Sequence, residues 1–325
     1  MNEIKQRNST IDILRVIGLL LVIAAHCEFP EWFYELREFD VVTLAAISGM
    51  AYYLTAGRTD ETYGAYVKKR FRKLVLPVWM FLIFFFLFFR LLGRSFSPRV
   101  IAESFLLLAG GILFIWVYRI FFVNALLNPL LKRMAEKYTF TVSSAILIAG
   151  LAVNELLYQF ISQFLPGTAG KLFDYIVIYT LGYGLISFAG MLWEKEKTQN
   201  RLILLGIAGA AFVISVIAGG FHGFYESKYP PQLYYISYGL LVTFALYLLA
   251  SKIKLTEAAD QIITWLSVNT MRIYMWHIFL YYLLDTLSPS FMDDPWPTYG
   301  ILLGGSIVGS LIQDKLFKLI TKKGL

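Results

Sequence analysis

The chain has 325 residues, 58% of them hydrophobic and only 16% charged, against about a quarter charged in an ordinary soluble domain. A mean hydropathy of +0.63 excludes water as its main solvent. The formal charge of +7 falls in loops and tails, not on a basic face that would take nucleic acid. The single cysteine, Cys27, excludes an intrachain disulfide and a thiolate metal cluster.

Apolar runs recur roughly every 30 residues, each long enough for the ~17 to 25 residues a helix needs to cross hydrocarbon. They predict spans at 11–27, 38–56, 74–92, 103–125, 140–158, 174–192, 202–220, 232–250, 265–286 and 298–316. In lipid only helices and closed barrels satisfy their own backbone, and these runs lack the alternation of barrel strands. The expected fold is all-α: a polytopic membrane protein with about ten transmembrane helices, forming one domain over 1–325. The first run contains Asp12 and Arg15 and leads into a charged segment, which marks a first span and not a cleaved signal. Of the 29 Lys and Arg, twenty lie in the tails and in the loops after spans 2, 4, 6 and 8. Six lie opposite (Arg37, Arg90, Arg94, Arg99, Lys171 and Lys228), and Arg15, Arg119 and Arg272 fall within spans. Basic loops stay inside, so the expectation is a multi-pass cell-membrane protein with both termini cytoplasmic.

In span 1, Asp12, Arg15, Leu19, Val22 and His26 advance by three or four residues and share one helical face. Ionised groups in a span face protein or a cavity. Asp12 and Arg15 can pair one turn apart, while His26 stands about 16 Å further on, near the outer end. Sequence geometry alone leaves two readings open: a functional polar seam, or a structural Arg–Asp pair with an unrelated interfacial histidine. Cys27 reads as a packing residue. Ahead of span 3, Lys68, Lys69, Arg70, Arg72 and Lys73 form a dense basic run, suited to phosphate or to anchoring against anionic lipid. Tyr225, Tyr229, Tyr234, Tyr235 and Tyr238 around Pro230–Pro231 suit an interfacial aromatic belt, with sugar stacking as the sharper alternative. His222 in the same loop reads as solvated.

Several segments together resemble a known family. They are Ile11–Asp12–Ile13–Leu14–Arg15 with Ala24–Ala25–His26, Asp40 through Ser48–Gly49, and Lys69–Arg70–Phe71–Arg72–Lys73–Leu74 with Pro77. Further along come Trp116, Asn128–Pro129–Leu130–Leu131 and Ile273–Tyr274–Met275–Trp276–His277. In this order they resemble the membrane-bound acyltransferases called acyltransferase family 3, as a standalone membrane domain. Two departures stand out. Ala45–Ala46 replaces a Phe-Phe pair, which would widen a channel there, and Lys73 replaces an arginine, losing the planar fork.

The resemblance implies an O-acyltransferase that moves an acyl group, often acetyl, from cytoplasmic acyl-CoA to a hydroxyl of a carbohydrate or other acceptor near the outer membrane face. Acyl-CoA, as acetyl-CoA, is then the co-substrate; no metal and no nucleic acid are expected, and lipid is the surrounding partner. It implies catalytic roles for His26, Arg15 and His277, with His26 as general base. Arg70 leads the donor-binding set, with Lys69, Arg72 and Lys73. Asp12, Ser48, Trp116, Arg119, Arg272 and Tyr274 would line substrate or channel. The competing reading is a transporter or sensor of a small polar molecule, with Arg119, Arg272, Asp285 and the histidines along its path.

Overall fold

A computed structural model of the chain describes residues 7–55 and 62–322, with side chains through residue 315. The outermost tails and Arg58, all assigned to the cytoplasmic side above, lie outside the described residues. The helices are α1 (Ser9–Ala24), α2 (Glu31–Arg37), α3 (Asp40–Thr55), α4 (Tyr63–Leu74), α5 (Leu76–Leu91), α6 (Pro98–Phe105), α7 (Trp116–Lys137) and α8 (Phe140–Phe160). They continue as α9 (Gly167–Phe173), α10 (Tyr179–Lys195), α11 (Thr198–Gly219), α12 (Phe224–Lys228), α13 (Leu233–Ala250), α14 (Glu257–Leu287) and α15 (Pro295–Lys322). A π-helical turn over Asp174–Ile178 joins α9 to α10. The described residues form no strand, in keeping with an all-helical fold. Among the described residues, five stretches are long and apolar enough to cross a membrane: Tyr63–Leu91, Phe140–Phe164, Gly167–Lys195, Thr198–Gly219 and Leu233–Ala250.

The fourth expected span is corrected. Residues 103–125 do not form one helix: α6 ends at Phe105 and α7 begins only at Trp116, continuing to Lys137. Hydropathy cannot register the break because the intervening segment is itself apolar. Backbone geometry makes it: Leu107 and Phe114 hold φ of 56° and 63°, a left-handed conformation that costs a non-glycine residue about 1–3 kcal/mol. Gly111 lets the loop fold against α6, where a Cβ would lie 2.7 Å from Ser104 Cα. The Ser104 hydroxyl then accepts the Ile112 N–H at 2.8 Å.

The helices gather into two units interleaved along the sequence, one built from residues through Tyr34, Leu76–Trp116 and Lys254 onward, the other from Glu35–Val75 and Val117–Ile253. In the first unit α1 and α15 pack on α14, which also meets α5. In the second, α10 is the central helix and packs chiefly on α3. That approach needs small residues. A Cβ on Gly49 would lie 2.0 Å from Ser187 O, and one on Gly190 would lie 2.1 Å from Ala46 O. Helices without a hydrophobic drive to associate in lipid gain from such backbone proximity. Ala45 and Ala46 are fully buried, and Ala46 takes part in this close approach. Within α7, Pro129 has no N–H to give the Ala125 carbonyl four residues earlier. The Tyr66 hydroxyl donates to that carbonyl at 2.8 Å instead.

Candidate functional site

In the first unit α1 ends two residues before His26. Beyond Ala24 the turn tightens, with His26 N–H bonded to Ile23 O at 3.1 Å and Cys27 N–H to Ala24 O at 3.1 Å. His26 therefore lies just beyond the helix, in the tightened turn that follows it. Its Nδ1 stands 2.6 Å from the Val22 carbonyl. A carbonyl only accepts, so Nδ1 carries the proton and the lone pair of the neutral ring sits on Nε2. A backbone carbonyl thus helps to orient His26.

Three rings surround His26. Phe114 meets it edge-on at 3.7 Å between centroids, His277 lies at 4.8 Å and Tyr281 at 6.2 Å. The chain thus brings together two of the three residues expected to be catalytic, from sequence positions far apart. His277 is fully buried on α14, approached by the Tyr274 carbonyl and by the Tyr274 ring at 4.6 Å. The broken segment between α6 and α7 supplies the cover over His26. Its left-handed Phe114 is pinned because the Tyr274 hydroxyl donates to Phe114 O at 2.9 Å and Leu113 N–H donates to the Tyr282 hydroxyl at 3.0 Å. Backbone strain fixed this way is a recurrent property of functional sites. Sequence reasoning missed Phe114, and the Gly110–Gly111 pair was the available sign of a break.

Arg15 belongs to a different cluster of the same unit. Its Nη1 donates to Ser267 Oγ at 2.7 Å and to Asp12 at 3.3 Å. Asp12 also accepts from Ser267 Oγ at 2.5 Å and from Arg7. This network ties the start of α1 to α14. Arg272 pairs with Asp314 across α14 and α15, and Asp285 pairs with Arg94 at 2.6 Å. Two of the ions offered for a transport path are therefore compensated within helix packing.

In the second unit, α4 divides the basic run. Lys68, Lys69, Arg72 and Lys73 line an open groove with Ala65. Arg70 is turned elsewhere, its guanidinium 5.0 Å over the Tyr66 ring, so Arg72 is the guanidinium that lines the groove. Ser48 is half-buried on α3. Trp116 is buried at the start of α7, the one residue of that helix grouped with the first unit. Arg119 lies over Tyr175 at 4.3 Å and Tyr179 at 5.2 Å.

Arg37 and Lys228, which sequence reasoning placed on the outer side, are in fact interior, together with Glu38 and Asp40. Arg37, Glu38, Asp40 and Lys228 are each at most 6% exposed. Arg37 bonds Asp40 at 2.7 Å and Glu38 at 3.0 Å, while Lys228 bonds Glu38 at 2.5 Å and approaches Asp40 at 3.6 Å. Burial alone would lower the Lys228 pKa, but the charges of Asp40 and Glu38, with Tyr229, raise it above the ordinary lysine range. His222 bridges Gly220 O and Ser227 Oγ at 3.2 and 3.0 Å and stacks on Tyr234, a local contact of the loop.

Among known proteins, the sequence model of one family, described as an acyltransferase domain, matches residues 8–313. Comparison with curated proteins and with solved structures finds no match.

Proposed function

Since the chain belongs to this acyltransferase family and is a membrane protein, we propose that it transfers an acetyl group from cytoplasmic acyl-CoA to a hydroxyl of a carbohydrate or similar acceptor near the outer membrane face. The observation that carries this reading is the 2.6 Å contact between His26 Nδ1 and the Val22 carbonyl, which favours the tautomer with its lone pair on Nε2. With Nδ1–H held by the Val22 carbonyl, Nε2 can take the proton of an acceptor hydroxyl as its oxygen attacks the thioester carbonyl. The new C–O bond forms, the C–S bond breaks, and the leaving thiolate recovers the proton as CoA thiol. Direct transfer is preferred over an acyl-enzyme because Cys27, the one thiol, is packed in the interior and bonded toward the Ile23 carbonyl. His277, in ring contact with His26, positions the base and limits double protonation of the pair, since two adjacent cations repel.

The donor's phosphates fit the groove on α4, where Lys68, Lys69 and Lys73 concentrate positive potential and Arg72 offers a bidentate fork. The excess of basic residues in alternate loops supports a cytoplasmic position for this groove and for both termini. Single-turnover transfer by His26→Ala, with donor binding measured separately, tests the assignment. The expected result is a loss of about 100-fold or more in transfer with donor affinity retained; near-native transfer by a folded variant overturns it.

A further inference from the structure

The surroundings of His26 continue along one face of α14. His277, Tyr281 and Asp285 follow one another at intervals of four residues, so they stack on that face over about 12 Å of helix. Exposure rises along the line. His277 is fully buried, Tyr281 is half-buried and the Asp285 side chain is 38% exposed. All three belong to the first unit, as do His26 and Arg94. The line therefore runs from the enclosed histidine pair to the protein surface within one unit.

Two groups on it carry unspent hydrogen-bonding capacity. Among the tyrosines of α14, Tyr274 donates its hydroxyl to Phe114 O and Tyr282 accepts the Leu113 N–H, so both are committed to holding the segment between α6 and α7. The Tyr281 ring stands 6.2 Å from the His26 ring, and its hydroxyl has no hydrogen-bond partner among the described residues. Asp285 Oδ2 accepts from Arg94 Nη1 at 2.6 Å. Arg94 is held in turn by Thr286 Oγ1 at 2.8 Å and by the Tyr282 ring at 4.8 Å. The carboxylate is thus fixed in place, with Oδ1 unengaged among the described residues. The charges that act on Tyr281 are those of Asp285, Glu28 and Arg94. Two carboxylates face one cation there, so an anion placed beside the phenol would meet net repulsion.

We propose that Tyr281 and Asp285 form the acceptor subsite beside His26, and that it takes a neutral polyol, such as an uncharged sugar, in preference to an anionic one. The phenol hydroxyl and Asp285 Oδ1 each bond a hydroxyl of the acceptor, while another hydroxyl of the same molecule meets His26 Nε2. Tyr281 and Asp285 are one helical turn apart, about 6 Å, which is comparable to the breadth of a single sugar ring. A phenol both donates and accepts, and an ionised carboxylate only accepts, so both groups suit hydroxyls and the carboxylate disfavours acidic sugars. The assignment rests on the acyl-transfer reading, because it takes the acceptor to react at His26.

The test reads binding without acyl-CoA, so that its outcome is independent of turnover. Full-length protein in detergent is titrated by calorimetry with methyl glucoside and with methyl glucuronoside, which carries a carboxylate in place of the primary alcohol. The glucoside is expected to bind, and the glucuronoside to bind at least about tenfold more weakly. Tyr281→Phe removes only the hydroxyl and should weaken the glucoside by about tenfold, the scale of one hydrogen bond. Its thermal midpoint should not change, since that hydroxyl holds nothing in the fold. Asp285→Asn keeps the shape and removes the negative charge, and should bring the glucuronoside to within about threefold of the glucoside. A merely structural ion pair would produce no such change of preference. In turnover, Tyr281→Phe should raise the KM for methyl glucoside and leave that for acetyl-CoA unchanged. Equal binding of the two glycosides by the wild type overturns the charge selection. No binding of the glucoside, or glucoside binding that neither substitution changes, overturns the subsite and leaves Arg94–Asp285 as a tie between α14 and the segment after α5. Near-native transfer by His26→Ala, with glucoside binding still dependent on Tyr281, would overturn the transfer reading and leave the subsite standing.

Discussion

The His26 surroundings and the Arg37–Glu38–Asp40–Lys228 cluster are both buried and polar, yet they are finished to different degrees. In the ion cluster two cations face two carboxylates at 2.5 to 3.6 Å, so charge balances within the protein. Around His26 one ring nitrogen is fixed by a backbone carbonyl and the neighbours are aromatic rings. A charge-balanced buried cluster holds structure, whereas a site that acquires charge only during reaction leaves that balance to its substrate.

The largest effect that separates the two regions is on stability. Lys228→Met strips one cation from a buried pair and leaves the carboxylates of Glu38 and Asp40 sharing Arg37. Thermal unfolding in detergent should show a loss of about 3 to 5 kcal/mol. A variant as stable as the wild type breaks the comparison, because the cluster would then contribute nothing to the fold. Next in size is the converse case. His26→Ala should lower transfer by about 100-fold while costing under about 2 kcal/mol of stability. A stability loss equal to that of Lys228→Met would place His26 with the structural groups.

How much of this was legible in the sequence follows the same division. Asp12 and Arg15 could be paired from their spacing because both lie on one helix. His26 and His277 could be named only through their flanking residues, since nothing local says that α14 will meet the end of α1. The ion cluster was illegible for a plain reason: Glu38 and Lys228 are 190 positions apart, and a hydropathy profile does not pair residues that distant. The break between α6 and α7 was hidden by its own apolarity, because Leu107 and Phe114 look like span residues until their backbone angles are known. In α4 the basic run was legible as a run, but not as two faces, because spacing cannot tell which side of a short helix meets Tyr66.

That division of α4 gives a smaller and sharper contrast. Arg72→Ala should weaken acyl-CoA binding by about tenfold or more, the scale of one charge-assisted hydrogen bond to phosphate. Arg70→Ala should weaken it less, since Arg70 stacks on Tyr66 and does not line the groove. Calorimetry with a non-hydrolysable acyl-CoA analogue reads both. The reverse order would return Arg70 to the leading place that its sequence context suggested.

The smallest expected effect is a constancy, and it tests which force governs Lys228. Burial acting alone would favour the neutral amine and pull its pKa down, but Asp40, Tyr229 and Glu38 reverse this and raise it. A folded-state value above the unfolded value of about 10.4 means that the contribution of Lys228 is fully present below that unfolded value. It is lost only as pH climbs through the higher folded one. The stability difference between wild type and Lys228→Met should therefore be the same at pH 7 and pH 9. If burial prevailed, the folded lysine would lose its proton within that window and the difference would change between the two measurements. A flat result keeps the cluster as a set of balanced charges, and a slope would make it a titrating group inside the fold, erasing the contrast with the histidine site.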